Sequence, residues 1–389
     1  MIKNLGHAGT HRRVAVNVGS GFVPGMNSVL MGAALAGGKP GWEILGIRDG
    51  FEGLLHPDRY PDGGLVALSP ELVENLDPAT GGVLGQAPRV DPTHAHTPDG
   101  ADADLSDEVL RRLQAAHIDA LVSAVGAEGL AILDRLHRKG LHTVCIPRSI
   151  ENDIASTAMS FGFNTALSTT IEMLNKAYQA ARSARKLAVV EVLGERAGWI
   201  ALQAGLAARA DAVLMPEIPC YLGNLAARLK DKLSRRRPFG LVVMAEGVQI
   251  FDDPPEPPGN APVVTVGHPA PPETRATPER IVLGPGRGAE TVASRLQGRV
   301  EAELHPLVIG SWARGGTPTA VDQQLGMAYG AGAVQALKGG RNGVMVAFVP
   351  PEVRLVPLAE VAGKVRTVPP DSEFMRLAQS LGVYLGTGL

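Results

Sequence analysis

Five polar side chains follow a short apolar run, residues 141–144, and form the stretch of this sequence best suited to chemistry. The run predicts a buried strand that stops at Pro147 and leads into a loop. The side chains on that loop are those of Arg148, Ser149, Glu151, Asn152 and Asp153. Ligands of open α/β sheets bind just past the carboxyl ends of strands, so the loop could hold a base, a metal ligand and a phosphate anchor. The alternative is an acidic turn in which Asn152 and Asp153 cap the next helix.

Two glycine-rich turns each lie between a predicted strand and a predicted helix. The first joins strand 13–18 to helix 28–36, and the second joins strand 120–123 to helix 130–138. The turns contain Gly19, Gly21, Gly25, Gly126 and Gly129. This order of elements points backbone N–H groups at an anion, so two such turns could face one ligand. The first is not a P-loop, because no Gly-Lys-Ser/Thr follows it, and a tight strand–helix connection is the alternative for each.

Strand and helix patterns alternate along the chain and predict an α/β protein with a parallel, doubly wound sheet in each domain. Further strands are predicted at 42–47, 186–192, 212–215, 240–245 and 344–348, and further helices at 106–116, 166–184, 200–208 and 320–337. Asn164 or Thr165 is the expected N-cap of helix 166–184. The proline-rich stretch at about 252–280 predicts a surface insertion with little regular structure.

Composition limits the classes of protein to consider. A length of 389 residues favours two domains. The formal net charge of -2 gives no reason to expect a nucleic-acid or anionic-membrane partner. Cys145 and Cys220 are the two cysteines, which excludes a disulfide scaffold and fits a reducing compartment. With no apolar run long enough to span a bilayer and no signal-peptide core in residues 1–13, we expect a cytoplasmic protein.

Several segments resemble the phosphofructokinase family, in both its ATP-dependent and its pyrophosphate-dependent branch. Pro-Gly-Met-Asn at 24–27 resembles the end of the family's first glycine loop, and Pro-Arg-Ser-Ile-Glu-Asn-Asp at 147–153 resembles Pro-(Gly/Lys)-Thr-Ile-Asp-Asn-Asp. Residues 160–166, 189–199 and 314–318 resemble three further family motifs, in order along nearly the whole chain. The resemblance implies two Rossmann-like, doubly wound domains of the phosphofructokinase fold. It assigns the phosphoryl donor to residues 1–160 with about 313–365, and the sugar phosphate to 161–312 with about 366–389.

The activity that the resemblance implies is transfer of a phosphoryl group from pyrophosphate or ATP to O1 of fructose 6-phosphate, with Mg²⁺ as the cofactor. The implied catalytic residues are Glu151 as base, Asp153 and Arg314, and the implied metal ligands are Glu128 and Asp153. The implied donor-binding residues are Gly21, Gly25, Asn27, Gly126, Glu128, Gly129 and Arg148. The implied sugar-phosphate-binding residues are Ser149, Lys186, Gly194, Arg196, Glu246, His305 and Ser311. Family members are dimers or tetramers, so we expect at least a dimer.

Several active-site positions depart from the family pattern. Phe22, Ala127 and Glu151 each stand where the family has aspartate, and Glu195 stands where it has arginine. Phosphoryl transfer depends on positioning and charge neutralisation, so these changes leave two alternatives open. One is an impaired regulatory subunit or ligand-binding protein, with an active paralogue as partner; the other is a kinase for a different sugar-phosphate acceptor. Arg148 stands where the pyrophosphate branch has lysine, and a guanidinium that grips a phosphate favours pyrophosphate as donor.

Overall fold

The computed structural model describes residues 12–38, 41–77, 82–86, 91–96, 102–233, 237–252 and 280–386. Its strands are β1 Arg13–Val18, β2 Glu43–Ile47, β3 Leu65–Ala67, β4 Ala95–His96, β5 Asp102–Ala103, β6 Ala120–Val125, β7 Thr143–Ser149, β8 Phe161–Gly162, β9 Lys186–Val192, β10 Ala212–Leu214, β11 Cys220–Tyr221, β12 Gly240–Ala245, β13 Ile250–Phe251, β14 Arg280–Ile281, β15 Glu303–Val308, β16 Val344–Val349 and β17 Glu352–Pro357. Its helices are α1 Met26–Gly38, α2 Phe51–Leu55, α3 Pro70–Glu74, α4 Ser106–Ala115, α5 Ala127–Arg138, α6 Phe163–Ala184, α7 Trp199–Ala207, α8 Leu222–Lys232, α9 Gly288–Leu296, α10 Ala320–Lys338, α11 Leu358–Val361 and α12 Glu373–Ser380.

The chain divides into two compact units. Unit 1 comprises Met1–Ala166 and Arg314–Arg366, and unit 2 comprises Leu167–Ala313 and Thr367–Leu389. The first boundary lies in the first turn of α6, a few residues after the position expected from the sequence. Across the described ranges, no helix has the length and apolar character needed to cross a membrane.

The main sheet of unit 1 has the strand order β17-β16-β7-β6-β1-β2-β3. The five inner strands are parallel, and β17 and β3 are antiparallel at the two edges. Val18 lies beside Ala124, and Val125 lies beside Pro147, so β1, β6 and β7 end at the same edge. The register therefore brings both glycine turns and the loop after β7 to one edge of this sheet.

The central strands of this sheet are apolar, because helices cover both of its faces. Every residue of β6 is buried, as expected for a parallel strand between two layers of helices. One buried cluster joins Ala15, Leu121 and Cys145 of the strands to Leu113 of α4 and Leu130 of α5. Helices α1 and α10 pack closely against each other and against the strands. The predicted α/β class with a mostly parallel sheet is confirmed in this unit.

Unit 2 has a parallel four-stranded sheet with the order β10-β12-β9-β15. Its core joins Val189 and Val242 of the strands to Leu225 of α8 and Val292 of α9. Strand β15 lies at the edge, and its residues are exposed or half-buried, unlike those of β9 and β12. A short second sheet, β11-β13-β14, completes the unit.

Two local expectations differ from the structure, and a third falls outside its described residues. Strand β7 does not stop at Pro147 but continues to Ser149. Its pairing with β16 ends at Cys145, so Pro147 lies where the missing N–H removes no bond to that neighbour. Helix α6 begins at Phe163, so neither Asn164 nor Thr165 is its N-cap. The expected insertion at 252–280 falls almost wholly on residues 253–279, which lie outside the described residues.

Candidate active site

Loop 149–153 begins where β7 ends and is braced by its own side chains. The Ser149 hydroxyl donates to Oδ1 of Asp153 at 2.6 Å and accepts from the backbone N–H of Glu151 at 3.1 Å. Asp153 is buried, and Glu151 is half-buried. The structure thus places two carboxylates just past the carboxyl end of a central strand, with one hydroxyl group fixing the turn between them.

Asn152 gives this loop its backbone turn. Its φ of 55° lies in the left-handed region, which asparagine tolerates better than most residues. Its buried side chain accepts from the N–H of Ser160 at 3.0 Å and donates to the carbonyl of Ala158 at 3.4 Å. The alternative in which Asn152 and Asp153 cap the next helix is therefore wrong. Asp322 caps α6 instead, accepting from the N–H groups of Gly162 and Thr165.

Arg366 holds loop 149–153 from a distant part of unit 1. Its guanidinium donates to the carbonyl of Asn152 at 3.2 Å, and its backbone N–H donates to the carbonyl of Asp153 at 2.8 Å. An antiparallel bridge between Ile154 and Val365 extends the contact. The sequence analysis missed Arg366, because more than 200 residues separate it from the loop and no motif surrounds it.

The first glycine turn is held by two arginines. Nη1 of Arg148 donates to the carbonyls of Gly19 at 3.1 Å and Ser20 at 2.8 Å, and its Nη2 donates to the carbonyl of Gly21. Nη1 of Arg314 lies 3.4 Å from the carbonyl of Phe22. Arg148 is 4% exposed, because it lies on β7 rather than on the expected loop. Burial, and then the nearby charge of Arg314, lower the pKa of Arg148 to about 9.

The other residues of this turn support the backbone. Gly21 and Gly25 have φ of 77° and 93°, values that favour glycine. The side chain of Asn27 is buried, donates to the carbonyl of Asp77 at 2.8 Å and accepts from the N–H of Val83 at 3.2 Å. Asn27 therefore ties α1 to Asp77 and to Val83, and these two contacts are with backbone atoms.

The second glycine turn supplies one exposed acid. Gly126 precedes α5, and a Cβ at Gly129 would lie 2.6 Å from Cβ of Val125, so Gly129 permits close packing on β6. Glu128 lies in the first turn of α5 and is exposed. Glu128 follows β6 and Asp153 follows β7. These two neighbouring strands end at one edge of the sheet.

Mg²⁺ needs fewer protein ligands than a metal that is bound in a complete protein cage. Among the described residues, no group of three or more His, Cys, Asp or Glu side chains could hold a metal ion. Mg²⁺ is commonly bound through one or two carboxylates, with water and substrate phosphates completing its octahedron. Glu128 and Asp153 are the residues that would supply the protein ligands.

In unit 2, Gly194 and Glu246 come together at the carboxyl ends of β9 and β12. The N–H of Gly194 lies 3.4 Å from Oε1 of Glu246, and the N–H of Gly247 donates to the carbonyl of Gly194 at 3.1 Å. Gly194 has a φ of 146°, and a Cβ there would lie 2.7 Å from the carbonyl oxygen of Ala197. Arg196 is exposed on the same turn.

The remaining predicted sugar-phosphate residues of unit 2 lie at three separate places: on β9, on β15 and just after β15. Lys186 begins β9, at the end of the strand opposite Gly194, and is paired with Glu303 at 2.5 Å. His305 is exposed on β15, beside Ala188. Ser311 is exposed in the 3₁₀ turn Gly310–Arg314, just past the carboxyl end of β15. Within this unit, Lys186 and His305 are therefore not brought to the carboxyl ends of the strands.

Comparison with known proteins gives consistent matches over most of the chain. The family profile described as Phosphofructokinase matches residues 13–337. The ATP-dependent 6-phosphofructokinase of Chloroflexus aggregans is 32% identical over 383 residues, which are 98% of this chain and 100% of that protein. The ATP-dependent 6-phosphofructokinase of Propionibacterium freudenreichii subsp. shermanii is 31% identical over 377 residues, which are 96% of this chain and 99% of that protein.

Solved structures share the architecture at lower sequence identity. The pyrophosphate-dependent phosphofructokinase from Marinobacter aquaeolei aligns with a TM-score of 0.71 and 18% identity, over 96% of this chain and 92% of that one. The corresponding protein from Nitrosospira multiformis aligns with a TM-score of 0.72 and 20% identity, over 96% and 91%. At these identities the likeness shows the fold, and the fold predicted from the sequence is confirmed.

Proposed function

We propose that this chain, which belongs to the phosphofructokinase family, transfers the terminal phosphoryl group of ATP or pyrophosphate to the O1 hydroxyl of fructose 6-phosphate. The observation that carries the proposal is the grouping at the edge where β1, β6 and β7 of unit 1 end. Loop 149–153, with its two carboxylates, and a glycine turn held by two arginines both lie there. This pairing of acid and cation suits a polyphosphate donor.

Glu151 is the proposed general base. Its backbone N–H is fixed by the Ser149 hydroxyl, and its half-buried carboxylate follows the end of a central strand. A carboxylate at this point would accept the proton of the attacking sugar hydroxyl as the oxygen–phosphorus bond forms.

The negative charge of the donor is proposed to be balanced by two arginines and by Mg²⁺. Within the described part of the chain, neither Arg148 nor Arg314 forms an ion pair with a carboxylate, so their charge remains available to balance a polyphosphate. Mg²⁺, when bound, would neutralise donor oxygens and orient the transferred group. Asp153 and Glu128 would hold it, and the Ser149 hydroxyl would keep the Asp153 carboxylate in place.

The proposed acceptor site uses Gly194, Arg196, Glu246 and Ser311, which follow the carboxyl ends of three parallel strands of unit 2. Ser149 is proposed to act on the turn of loop 149–153 rather than on the sugar phosphate. Lys186 and His305 keep the role implied by the family resemblance only if a second copy of the chain presents them to the site.

The test is an assay of purified chain with fructose 6-phosphate, Mg²⁺ and either ATP or pyrophosphate. We expect turnover with at least one donor, and we expect E151Q to lower kcat by about 100- to 10,000-fold because the general base is lost. E172Q is the matched control, because Glu172 is exposed and paired with Lys176 at 2.6 Å on the surface of α6. Normal turnover by E151Q would exclude Glu151 as the base, and absence of turnover with both donors would exclude the proposed reaction.

A further inference from the structure

Four successive carbonyl groups of the first glycine turn face two guanidinium groups. Arg148 donates to the carbonyls of Gly19, Ser20 and Gly21, and Arg314 donates to that of Phe22. Extended chain turns successive carbonyls to alternate sides, so this arrangement needs an unusual backbone. Gly21 provides it, because its φ of 77° lies in the left-handed region.

The direction of these carbonyls fixes the direction of the neighbouring N–H groups. In a trans peptide the C=O and the following N–H point to opposite sides of the chain. When the carbonyls of residues 19–21 point at Arg148, the N–H groups of Ser20, Gly21 and Phe22 point away from it. Successive N–H groups that point to one side form a concave site for an anion.

The position of Arg148 suits it to hold the backbone of this turn, and it does not suit it to contact a ligand in solvent. Its side chain is 4% exposed and extends from β7, where the backbone of Arg148 pairs with Phe161 of β8. Its Nε is buried without a hydrogen-bond partner among the described residues, so the carbonyls of the turn are its main compensation. A buried cation held by oriented carbonyls also orients them in return.

We propose that Arg148 is a positioning residue: it sets the peptide planes of residues 19–22 so that their N–H groups face the terminal phosphate of the donor. That the anion is the phosphate of the donor rests on the proposed function. That Arg148 holds the turn does not. This role differs from the direct grip on a phosphate expected from the sequence. It makes Arg148 act through the backbone, before any donor binds.

The deciding measurement is amide hydrogen exchange of the full-length protein with no donor present. The variants are R148M, which removes the charge and the donors, and R148K, which keeps the charge without the planar fork. Within residues 19–25 the N–H of Gly19 donates to the carbonyl of Ala124 at 2.9 Å, and we expect exchange of this amide to rise by about 10- to 100-fold in R148M, because the hydrogen bonds that hold the turn are lost. R148K should show a smaller rise.

The matched control is R13M. Arg13 lies at the amino end of β1 in the same unit, where it binds the carbonyl of Ala116 and pairs with Glu43. R13M should leave exchange at 19–25 unchanged. Unchanged exchange at 19–25 in both Arg148 variants would overturn the proposal, and so would an equal rise in every peptide of unit 1, which would show general destabilisation.

Kinetics supply an independent readout. We expect KM for the phosphoryl donor to rise about 10-fold or more in R148K, with KM for fructose 6-phosphate changed less than about 2-fold, because only the donor uses the turn. Weaker donor binding with unchanged exchange in the free protein would indicate direct contact and overturn the positioning role. If the parent chain has no turnover, the proposed function fails, while the exchange result still decides the role of Arg148.

Discussion

At the scale of single residues, the candidate site depends on the Ser149 hydroxyl. It accepts from the N–H of Glu151 and donates to Asp153, so it links the proposed base to the proposed metal ligand. The family resemblance assigns this residue to the sugar phosphate. Its observed contacts instead place it between two carboxylate residues of one turn, where a short, fixed distance matters more than charge.

Removing that hydroxyl should therefore affect catalysis more than substrate binding. We expect S149A to lower kcat by about 10- to 100-fold, the range for losing a hydrogen bond to a charged group, and to raise the Mg²⁺ concentration needed for half-maximal rate. S149T keeps the hydroxyl and should stay within about 3-fold of the parent. The check is a Mg²⁺ titration of initial rates; equal losses in S149A and S149T would show that steric fit, not the hydroxyl, is what matters.

Among the elements of unit 1, helices α1 and α10 approach each other closely enough for their backbones to touch. A Cβ added at Gly330 would overlap the carbonyl oxygen of Val29, and one added at Gly32 would overlap the backbone of Met327. The two backbones therefore touch where glycine removes the side chain. Helix α1 follows the first glycine turn and α10 carries Asp322, which caps α6, so this contact sets two elements next to the candidate site.

The helix contact predicts opposite effects for two glycines of α10. We expect G330A to destabilise the protein by about 3 kcal/mol, because the added methyl overpacks a rigid backbone contact. In G332A the new Cβ would lie 3.5 Å from a methyl of Val353, an ordinary distance. That variant should be neutral or stabilising by up to about 1 kcal/mol, since alanine favours helix. Urea unfolding of both variants is the measurement, and similar effects from both would contradict the contact.

The Asp322 carboxylate shows how an element is fixed across the chain. It is fully buried and accepts from Gly162 and Thr165, at the start of a helix whose own sequence suggested another cap. Burial raises the pKa of Asp322, and the hydrogen bonds that it accepts oppose the rise. The sequence placed the cap of α6 on α6 itself, whereas the folded chain supplies it from α10.

For the molecule as a whole, each unit has its own core and its own buried cysteine. Cys145 lies in the core of unit 1, and Cys220 lies in the core of unit 2. Burial raises the pKa of each thiol to about 12. The raised pKa keeps each thiol protonated at pH 8, and both sulfurs are shielded from reagents.

Neither cysteine should therefore react with a thiol reagent at pH 8 in the native protein, and each should react when its unit opens. Labelling across a urea series, with the two sites distinguished by peptide mass, would report the stability of each unit separately. C220A gives a single-site control for Cys145. Rapid labelling of either site in the absence of urea would contradict the buried cores.

The sequence by itself determined the features that depend on neighbours along the chain. Alternating apolar runs and glycine turns predicted β1, β6, β9 and β12 and the α/β class, because the period of side chains along a strand or helix is a local property. The order of motifs predicted the family, and the comparisons confirmed it.

Only the tertiary structure decided which partners meet. Arg148 turns inward to Gly19 and Ser20, Arg366 holds Asn152, and Asp322 caps α6, across separations of 128 to 214 residues. Such partners are chosen by sheet order and helix packing, and no local pattern encodes them. The residue types that could do chemistry were thus readable from the sequence. Whether each one faces a ligand or the backbone was set by the fold, because a buried polar group must bond whatever the packing brings to it.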